Sequence, residues 1–300
     1  MAKRWRSWRY WWRLTRLFLI LGVLAGVLTP VVGGFVSMWI LLHPDCSTHE
    51  TLTPTPPNIE SFELTARAGG SFKGYYVPST NGATIIFPPA YSSSSRASRW
   101  NEAKVLWRHG YGIVLYEARR CADMGAVSLG YQEVSEIEDV IVYLRERGDV
   151  DMAHLGIHGF STGGAGAIMA AARYPELRSI VAEGGYANMQ TIIDNSSVDA
   201  PLLFTLWRWS MQITYQQITG NSIDDLDTLE VIADIAPRPI LLIYGSKESS
   251  LPEGYRQLKA AGDNAELWVV EGSGHGGYIR AAPDEYEQRV VAFFDHSLLN

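Results

Sequence analysis

The fold prediction rests on the stretch 155–164, which reads Leu155-Gly156-Ile157-His158-Gly159-Phe160-Ser161-Thr162-Gly163-Gly164. A strand-like apolar run leads into a G-x-S-x-G sequence, and the small residues of Ala165–Ala172 continue it as a helix. A serine on such a sharp strand-to-helix turn needs glycine on both sides, because the two elements come close together there. The sequence therefore predicts a nucleophilic serine, Ser161, at the carboxyl end of a strand. The Thr162 N–H at the helix N-terminus would face a developing oxyanion.

Around this stretch, short apolar runs alternate with helix-like segments. In Val134–Glu146, apolar residues recur at helical spacing, which makes it the clearest helix. The alternation predicts an α/β protein with a mainly parallel, doubly wound sheet that begins with an antiparallel hairpin. The hairpin strands are predicted at Phe62–Ala66 and Phe72–Val77, the later strands at Ala83–Phe87, Gly112–Leu115, Leu155–His158, Ile180–Ala182, Ile240–Tyr244 and Leu267–Val270, and further helices at Ala97–Arg108, Gly164–Tyr174, Glu253–Ala261 and Pro283–Leu298.

A serine hydroxyl becomes a nucleophile when a histidine removes its proton, and that histidine needs a carboxylate to hold its tautomer. Among seven histidines, His275 is the candidate base, because it lies in the glycine-rich loop 271–277 directly after the last predicted strand. The acid should follow the preceding strand, which indicates Glu248. Asp194 and Asp263 remain alternatives for the acid.

These motifs resemble those of the α/β-hydrolases, and the resemblance covers roughly residues 60–298. The stretch 159–164 is similar to the nucleophile elbow of that family, and Ser273-Gly274-His275-Gly276 is similar to its histidine loop. The approach to the elbow, from Asp149-Val150-Asp151 onward, is similar to that of the dipeptidyl-peptidase-like and esterase-like bacterial branches. The resemblance implies that Ser161 is the nucleophile, Glu248 the acid and His275 the base.

The predicted oxyanion hole departs from the family pattern. Many relatives carry His-Gly after the strand that corresponds to Ala83–Phe87, whereas this chain has Pro88-Pro89-Ala90-Tyr91. Because proline has no N–H to donate, the second oxyanion donor is expected to be Ala90 or, failing that, Tyr91.

A long insertion separates the strand that ends near Glu183 from the one that begins at Ile240. The resemblance implies that residues at about 188–236 form a helical cap over the serine. Residues 201–211 within it are strongly apolar and aromatic, which favours either an apolar substrate pocket or simple packing of the cap onto the main domain.

The N-terminal region has the features of a membrane anchor. Residues 1–16 hold six basic groups and no acid, and residues 17–42 follow without a charge. Twenty-six residues of helix are roughly 39 Å long, which exceeds the ~30 Å hydrocarbon core. The basic tail predicts a cytoplasmic N-terminus and an extracytoplasmic domain. A cleaved signal peptide is the alternative, although its apolar core is usually much shorter.

A Pro- and Thr-rich stretch, residues 43–60, is predicted to be a stiff stalk that precedes a hydrolase domain at 61–300. Cys46 and Cys121 show no spacing that suggests pairing, so the expectation is two unpaired or buried thiols. The chain has 32 acidic and 25 basic residues, and its basic tail makes the rest strongly acidic. This balance excludes a nucleic-acid-binding main domain.

The sequence as a whole predicts a membrane-anchored serine hydrolase that acts on a small-molecule or lipid-like acyl substrate, such as a carboxylic ester. It needs no cofactor or metal, its bilayer contact is residues 17–42, and its oligomeric state stays open. A peptidase of the prolyl-oligopeptidase-like kind and a non-catalytic binding protein of the same fold are the alternatives. A propeller domain, which that peptidase branch usually adds, would not fit in 300 residues.

Overall fold

The computed structural model describes residues 2–46, 51–91, 95–195 and 201–300. The chain forms two compact units. One extends to Leu41 and also contains Thr191–Ile223, and the other comprises Leu42–Gln190 with Asp224–Asn300.

The larger unit is built on an eight-stranded sheet whose strand order is β1-β2-β4-β3-β5-β6-β7-β8. The first two strands form the predicted hairpin, and β2 also pairs antiparallel with β4. All other neighbours are parallel. The strands are β1 (Glu60–Thr65), β2 (Ser71–Val77), β3 (Thr84–Phe87), β4 (Gly112–Tyr116), β5 (Leu155–Phe160), β6 (Ser179–Glu183), β7 (Ile240–Gly245) and β8 (Ala265–Val270).

Helices cover both faces of this sheet. Alternate residues of one strand, such as Ile85 and Ile86, enter two separate apolar clusters, because successive side chains point to opposite faces. The helices of the chain are α1 (Ala2–Leu42), α2 (Trp100–Arg108), α3 (Glu133–Arg147), α4 (Thr162–Arg173), α5 (Met189–Asn195), α6 (Pro201–Thr219), α7 (Leu251–Ala261), α8 (Tyr278–Ala281) and α9 (Pro283–Phe294). The α/β fold with a mainly parallel sheet is thereby confirmed.

The smaller unit contains α1 and α6. Helix α1 begins well before the predicted span at Leu17, so the basic tail is helical as well. Within α1, the segment Tyr10–Leu42 is long and apolar enough to cross a membrane by length and composition, with a mean hydropathy of 2.3 and only 6% of its most apolar window buried.

The expectation of unpaired cysteines is wrong. Cys46 and Cys121 form a disulfide, with Cα atoms 5.5 Å apart. The residues are 75 positions apart, and their pairing depends on the tertiary fold, which places both in the larger unit.

The second half of the predicted stalk packs on the domain. Leu52 is buried in an apolar cluster of the sheet, and the Thr53 carbonyl accepts a hydrogen bond of 3.1 Å from the Trp100 indole. Residues 47–50 lie outside the described residues. The predicted insertion contains α5 and α6, and its role as a cap at about 188–236 stays a prediction.

Candidate active site

The predicted elbow lies between β5 and α4. Ser161 has φ +53° and ψ −122°, a conformation that strains a non-glycine residue. Its N–H donates to the Glu183 carbonyl on β6 at 2.7 Å, which fixes the turn to the neighbouring strand. A Cβ atom on Gly159 would lie only 2.8 Å from the Gly164 Cα, so the close approach of strand and helix requires glycine there. The serine is therefore held at the carboxyl edge of the sheet.

The structure brings the three predicted residues Ser161, His275 and Glu248 together. The imidazole Nε2 of His275 lies 3.1 Å from Ser161 Oγ, and its Nδ1 lies 2.6 Å from Glu248 Oε1. Because an ionised carboxylate only accepts hydrogen bonds, Nδ1 carries the proton and Nε2 is left to accept one from the serine. The histidine side chain is 45% exposed whereas that of Glu248 is 1% exposed. His275 thus faces solvent, and Glu248 is buried behind it.

Glu248 is held as an anion by four donors. Besides His275, these are the Gly245 N–H at 2.9 Å, the Ser250 hydroxyl at 2.6 Å and the Tyr278 hydroxyl at 2.7 Å. Burial by itself would raise the pKa of Glu248, but the hydrogen bonds, that of His275 first, outweigh it and hold the pKa below its ordinary value. Burial and the nearby Glu248 raise the pKa of Tyr278, so its hydroxyl remains a donor.

The loop after β3 lies against the start of α4. A Cβ atom on Gly163 would be 2.8 Å from the Pro89 carbonyl oxygen, so this glycine admits the Pro88-Pro89 loop to the helix N-terminus. The Tyr91 N–H donates to Thr162 Oγ1 at 2.8 Å. The two prolines of the loop have no N–H to donate, and the Tyr91 N–H is directed to the Thr162 hydroxyl. Ala90 is therefore the remaining candidate of this loop for the second oxyanion donor.

The alternative acids have other surroundings. Asp194 belongs to the smaller unit, where its Oδ1 lies 2.6 Å from Arg208. Asp263 lies in the turn before β8, at the amino end of that strand, whereas the histidine loop follows the carboxyl end. Glu248 is the carboxylate that contacts His275.

Sequence reasoning missed two residues that shape this site, Gly184 and Tyr278. Gly184 has φ +55°, and a Cβ atom there would lie 2.8 Å from Glu248 Oε1 and 2.9 Å from His275 Nδ1. The Gly184-Gly185 pair directly after β6 is the signal that could have indicated a close approach. Tyr278 shows no comparable signal, since its role depends on where the histidine loop folds back.

A buried ionic network, also missed, lies behind the elbow. Glu183 at the end of β6 accepts hydrogen bonds from Arg99 at 2.9 Å and from Tyr286 at 2.6 Å, and His158 Nε2 lies 3.1 Å away. Burial would raise the pKa of Glu183, but His158 and Arg99 lower it overall. The Arg99 guanidinium also lies 4.9 Å above the ring of Phe160, the residue that precedes Ser161.

Phe160 connects this network to His275. Its ring centroid lies 4.8 Å from that of His275. The same ring would be 2.8 Å from a Cβ atom on Gly276, whose φ is +72°. The glycine after the histidine therefore allows the imidazole loop to close over Phe160. Within the described ranges, no group of three or more His, Cys, Asp or Glu side chains is arranged to hold a metal ion.

Comparison with known proteins gives a family match and similar solved structures. Residues 116–300 match the model of the prolyl oligopeptidase family. The uncharacterized protein YfhR of Escherichia coli K12 is 24% identical over 208 residues, which cover 66% of each chain. The match therefore spans just under two thirds of that relative's length.

Two solved structures show the same fold. The esterase Pf2001 of Pyrococcus furiosus has a TM-score of 0.66 at 20% identity, over 86% of this chain and 98% of its own. The α/β hydrolase GrgF of a Penicillium species has a TM-score of 0.61 at 18% identity, over 82% of this chain and 100% of its own. At such identities the likeness concerns the fold, and it confirms the α/β-hydrolase architecture.

Proposed function

The chain belongs to the prolyl oligopeptidase family, and from that premise we propose that it is a membrane-anchored serine hydrolase that cleaves carboxylic esters. The family and the fold support a serine hydrolase of the α/β-hydrolase type. The observation that carries the proposal is the continuous chain of hydrogen bonds from Ser161 through His275 to Glu248.

In the proposed mechanism, His275 Nε2 takes the Ser161 proton as Oγ attacks the ester carbonyl carbon. The Thr162 and Ala90 N–H groups stabilise the oxyanion of the tetrahedral intermediate. His275 then gives the proton to the leaving alkoxide oxygen, and the C–O bond breaks. Water, deprotonated by the same imidazole, then attacks the acyl carbon. The bond to Ser161 Oγ breaks as the imidazolium returns its proton to that oxygen, and the acid is released. Glu248 holds the Nδ1–H tautomer and stabilises the imidazolium that forms twice in this cycle.

An ester substrate is supported by the setting of the enzyme. A catalytic domain tethered to a bilayer acts beside lipids, whose acyl groups are attached by ester bonds. The similar solved structure from Pyrococcus furiosus is titled an esterase. A peptidase is the second candidate, favoured by the family to which the chain belongs. Both reactions use the same acyl-enzyme, so the preference lies in the leaving group and not in the nucleophile.

The anchor and its orientation are part of the proposal. The apolar segment Tyr10–Leu42 supports a membrane span, and the basic residues before it support a cytoplasmic N-terminus. The Cys46–Cys121 disulfide supports an extracytoplasmic domain, because disulfides persist in oxidising compartments and are rare in the cytosol.

Labelling with a fluorophosphonate probe, followed by substrate comparison, tests the proposal. We expect the full-length protein in detergent to be labelled and to hydrolyse p-nitrophenyl esters faster than aminoacyl p-nitroanilides. Ser161→Ala should lose both signals, whereas Ser71→Ala should keep them, because Ser71 is a half-buried serine of β2 that donates to Glu63. Faster anilide cleavage would favour the peptidase. A folded wild-type protein without labelling would favour a binding protein and contradict the enzyme.

A further inference from the structure

Helix α6 has the composition of a membrane-contacting element. Its nineteen residues, PLLFTLWRWSMQITYQQIT, contain one charged side chain, Arg208. The Arg208 guanidinium lies 2.6 Å from Asp194 Oδ1 in the same unit, so the charge is paired. Hydroxyls of the helix are also satisfied internally: Thr214 donates to the Ser210 carbonyl at 2.7 Å and Thr219 to the Tyr215 carbonyl at 2.8 Å. Internal pairing of this kind is what an apolar environment requires.

Within the smaller unit, α6 packs closely against the apolar segment of α1. The Ser210 hydroxyl donates to the Val31 carbonyl at 2.6 Å. A Cβ atom on Gly34 would lie 2.8 Å from the Ser210 Cβ, and one on Gly33 would lie 3.6 Å from Trp207 Cδ1. Small residues at a helix crossing let two backbones approach, and an interhelical hydroxyl bond is typical of helices that meet in lipid.

The depth of this contact follows from helix geometry. Val31 and Gly34 precede Leu42, the last residue of the apolar segment, by 11 and 8 residues. At about 1.5 Å per residue they lie roughly 12–17 Å from that end of the helix. The hydrocarbon half-thickness is about 15 Å. If α1 spans the bilayer, the part of α6 around Trp207 and Ser210 reaches the hydrocarbon of the leaflet on the domain side.

The two halves of α6 differ in what they expose. Large apolar side chains are exposed in its N-terminal half, Leu202 at 72% and Trp209 at 53%, and these two lie on one face because they are seven residues apart. In its C-terminal half the exposed side chains are Gln216 and Gln217. Transfer of a large apolar side chain from water to lipid is favourable. The helix therefore has a lipid-compatible half and a water-compatible half.

We propose that the N-terminal half of α6, residues 202–209, is a second membrane element that inserts beside α1 into the acyl-chain region of the bilayer. The occupant of its exposed face is lipid, because the helix against which it packs also exposes large apolar side chains, among them Phe35 and Ile40. This inference rests on the proposed membrane anchoring by α1.

Depth-dependent quenching tests the insertion in the full-length protein reconstituted into phosphatidylcholine vesicles. The two native cysteines form a disulfide, so one introduced cysteine supplies the thiol to be labelled with an environment-sensitive maleimide dye. Three exposed positions are compared: Leu202→Cys in the proposed insertion, Gln216→Cys on the same helix as the aqueous control, and Ile40→Cys on α1 as the anchor control. Fluorophosphonate labelling of each variant checks that it is folded.

We expect doxyl-labelled lipids to quench the dyes at positions 202 and 40, and aqueous iodide to quench the dye at position 216. Lipid quenching at position 40 without lipid quenching at position 202 would overturn the insertion of α6 and leave the anchor intact. Iodide quenching at both positions 40 and 202 would overturn the anchor and, with it, the insertion. The failures of the two proposals are therefore distinguishable.

Discussion

Gly184 lies beside the contact between Glu248 and His275, where a single added carbon atom would disturb both side chains. We expect Gly184→Ala to lower kcat by about a hundredfold, because a displacement of roughly 1 Å in a catalytic group has an effect of that size. The physical cause is the approach of the new Cβ to Glu248 Oε1 and His275 Nδ1, at 2.8 and 2.9 Å. Ester hydrolysis by the purified variant measures the loss.

Gly148→Ala is the matched control for Gly184→Ala. Gly148 also has a positive φ, +73°, but nothing lies within 4 Å of a Cβ placed there. Both variants pay a left-handed backbone penalty of about 1 kcal/mol, so both should unfold at lower temperature. Activity that falls equally in the two variants would contradict a specific role of Gly184 at the site.

Because of the buried carboxyl of Glu136 in α3, we expect the free energy of unfolding to fall as pH rises. Burial, assisted by the neighbouring Glu133, raises the pKa of this carboxyl to about 8. Between the ordinary pKa of about 4.5 and this value, the folded state retains a proton that the unfolded state releases. Stability contributed by this group is therefore present at low pH and is lost as pH rises through the window, by up to roughly 1.4 kcal/mol per pH unit.

Glu136→Gln should remove that slope, because the amide does not titrate. Urea unfolding of the wild type and the variant in detergent, at pH 5 and at pH 8, measures the difference. Glu138→Gln on the same helix is the control: Glu138 accepts hydrogen bonds from Tyr174 and Arg67, and its pKa is lowered, so its removal should leave the slope between pH 5 and pH 8 in place. If the free energy of unfolding of the wild type changes between pH 5 and pH 8 by the same amount as that of Glu136→Gln, the assignment is refuted.

At the scale of the elements, the ion pair of Arg99 and Glu183 joins the residue that precedes α2 to the end of β6. Arg99→Met should lower the free energy of unfolding by about 3–5 kcal/mol, because it leaves a buried carboxylate without its cation. The double variant Arg99→Met/Glu183→Gln should recover much of this loss, since no unpaired charge remains. Denaturant unfolding of the two single variants and the double variant forms the cycle. Additive losses would show that the pair is not coupled.

The positions of the strands could be predicted because central strands of a parallel sheet are buried on both faces. Ile240–Tyr244 and Ile180–Ala182 therefore appear as continuous apolar runs, and the observed β7 and β6 contain them. The site followed from the same rule, since parallel strands place the residues after their carboxyl ends at one edge. Ser161, Glu248 and His275 each follow such a strand.

What the sequence did not predict depends on contacts between distant segments. Arg99 lies at the start of α2 and looks like an exposed residue, yet it is buried against Glu183, 84 positions away. Tyr278 donates to an acid 30 positions earlier, which no local pattern indicates. The pairing of Cys46 with Cys121 is of the same kind. In each case the partner is fixed by how the sheet edge and its loops fold together, and not by periodicity.

At the scale of the whole molecule, charge and redox chemistry point to the same compartment. Six basic residues precede the uncharged stretch 17–42, and the acidic domain follows it. This arrangement favours a cytoplasmic N-terminus and supports the proposed placement of the domain on the other side of the membrane. A disulfide within the domain is stable there and would be reduced in the cytosol.

Because of the disulfide, we expect the stability of the protein to fall when a reductant is added. Cys46 and Cys121 close a loop of 75 residues, and loop-closure entropy assigns such a cross-link about 4 kcal/mol. Dithiothreitol should therefore lower the Tm of the full-length protein in detergent, and the double variant Cys46→Ser/Cys121→Ser should start at that lower Tm and be insensitive to dithiothreitol. Maleimide-polyethylene glycol should shift the denatured wild-type protein on a gel only after reduction. The same test is made on protein that is isolated from cells under acid quench. A gel shift without reduction would mean that the thiols are free. The proposal of an extracytoplasmic domain would then lose the support of the disulfide.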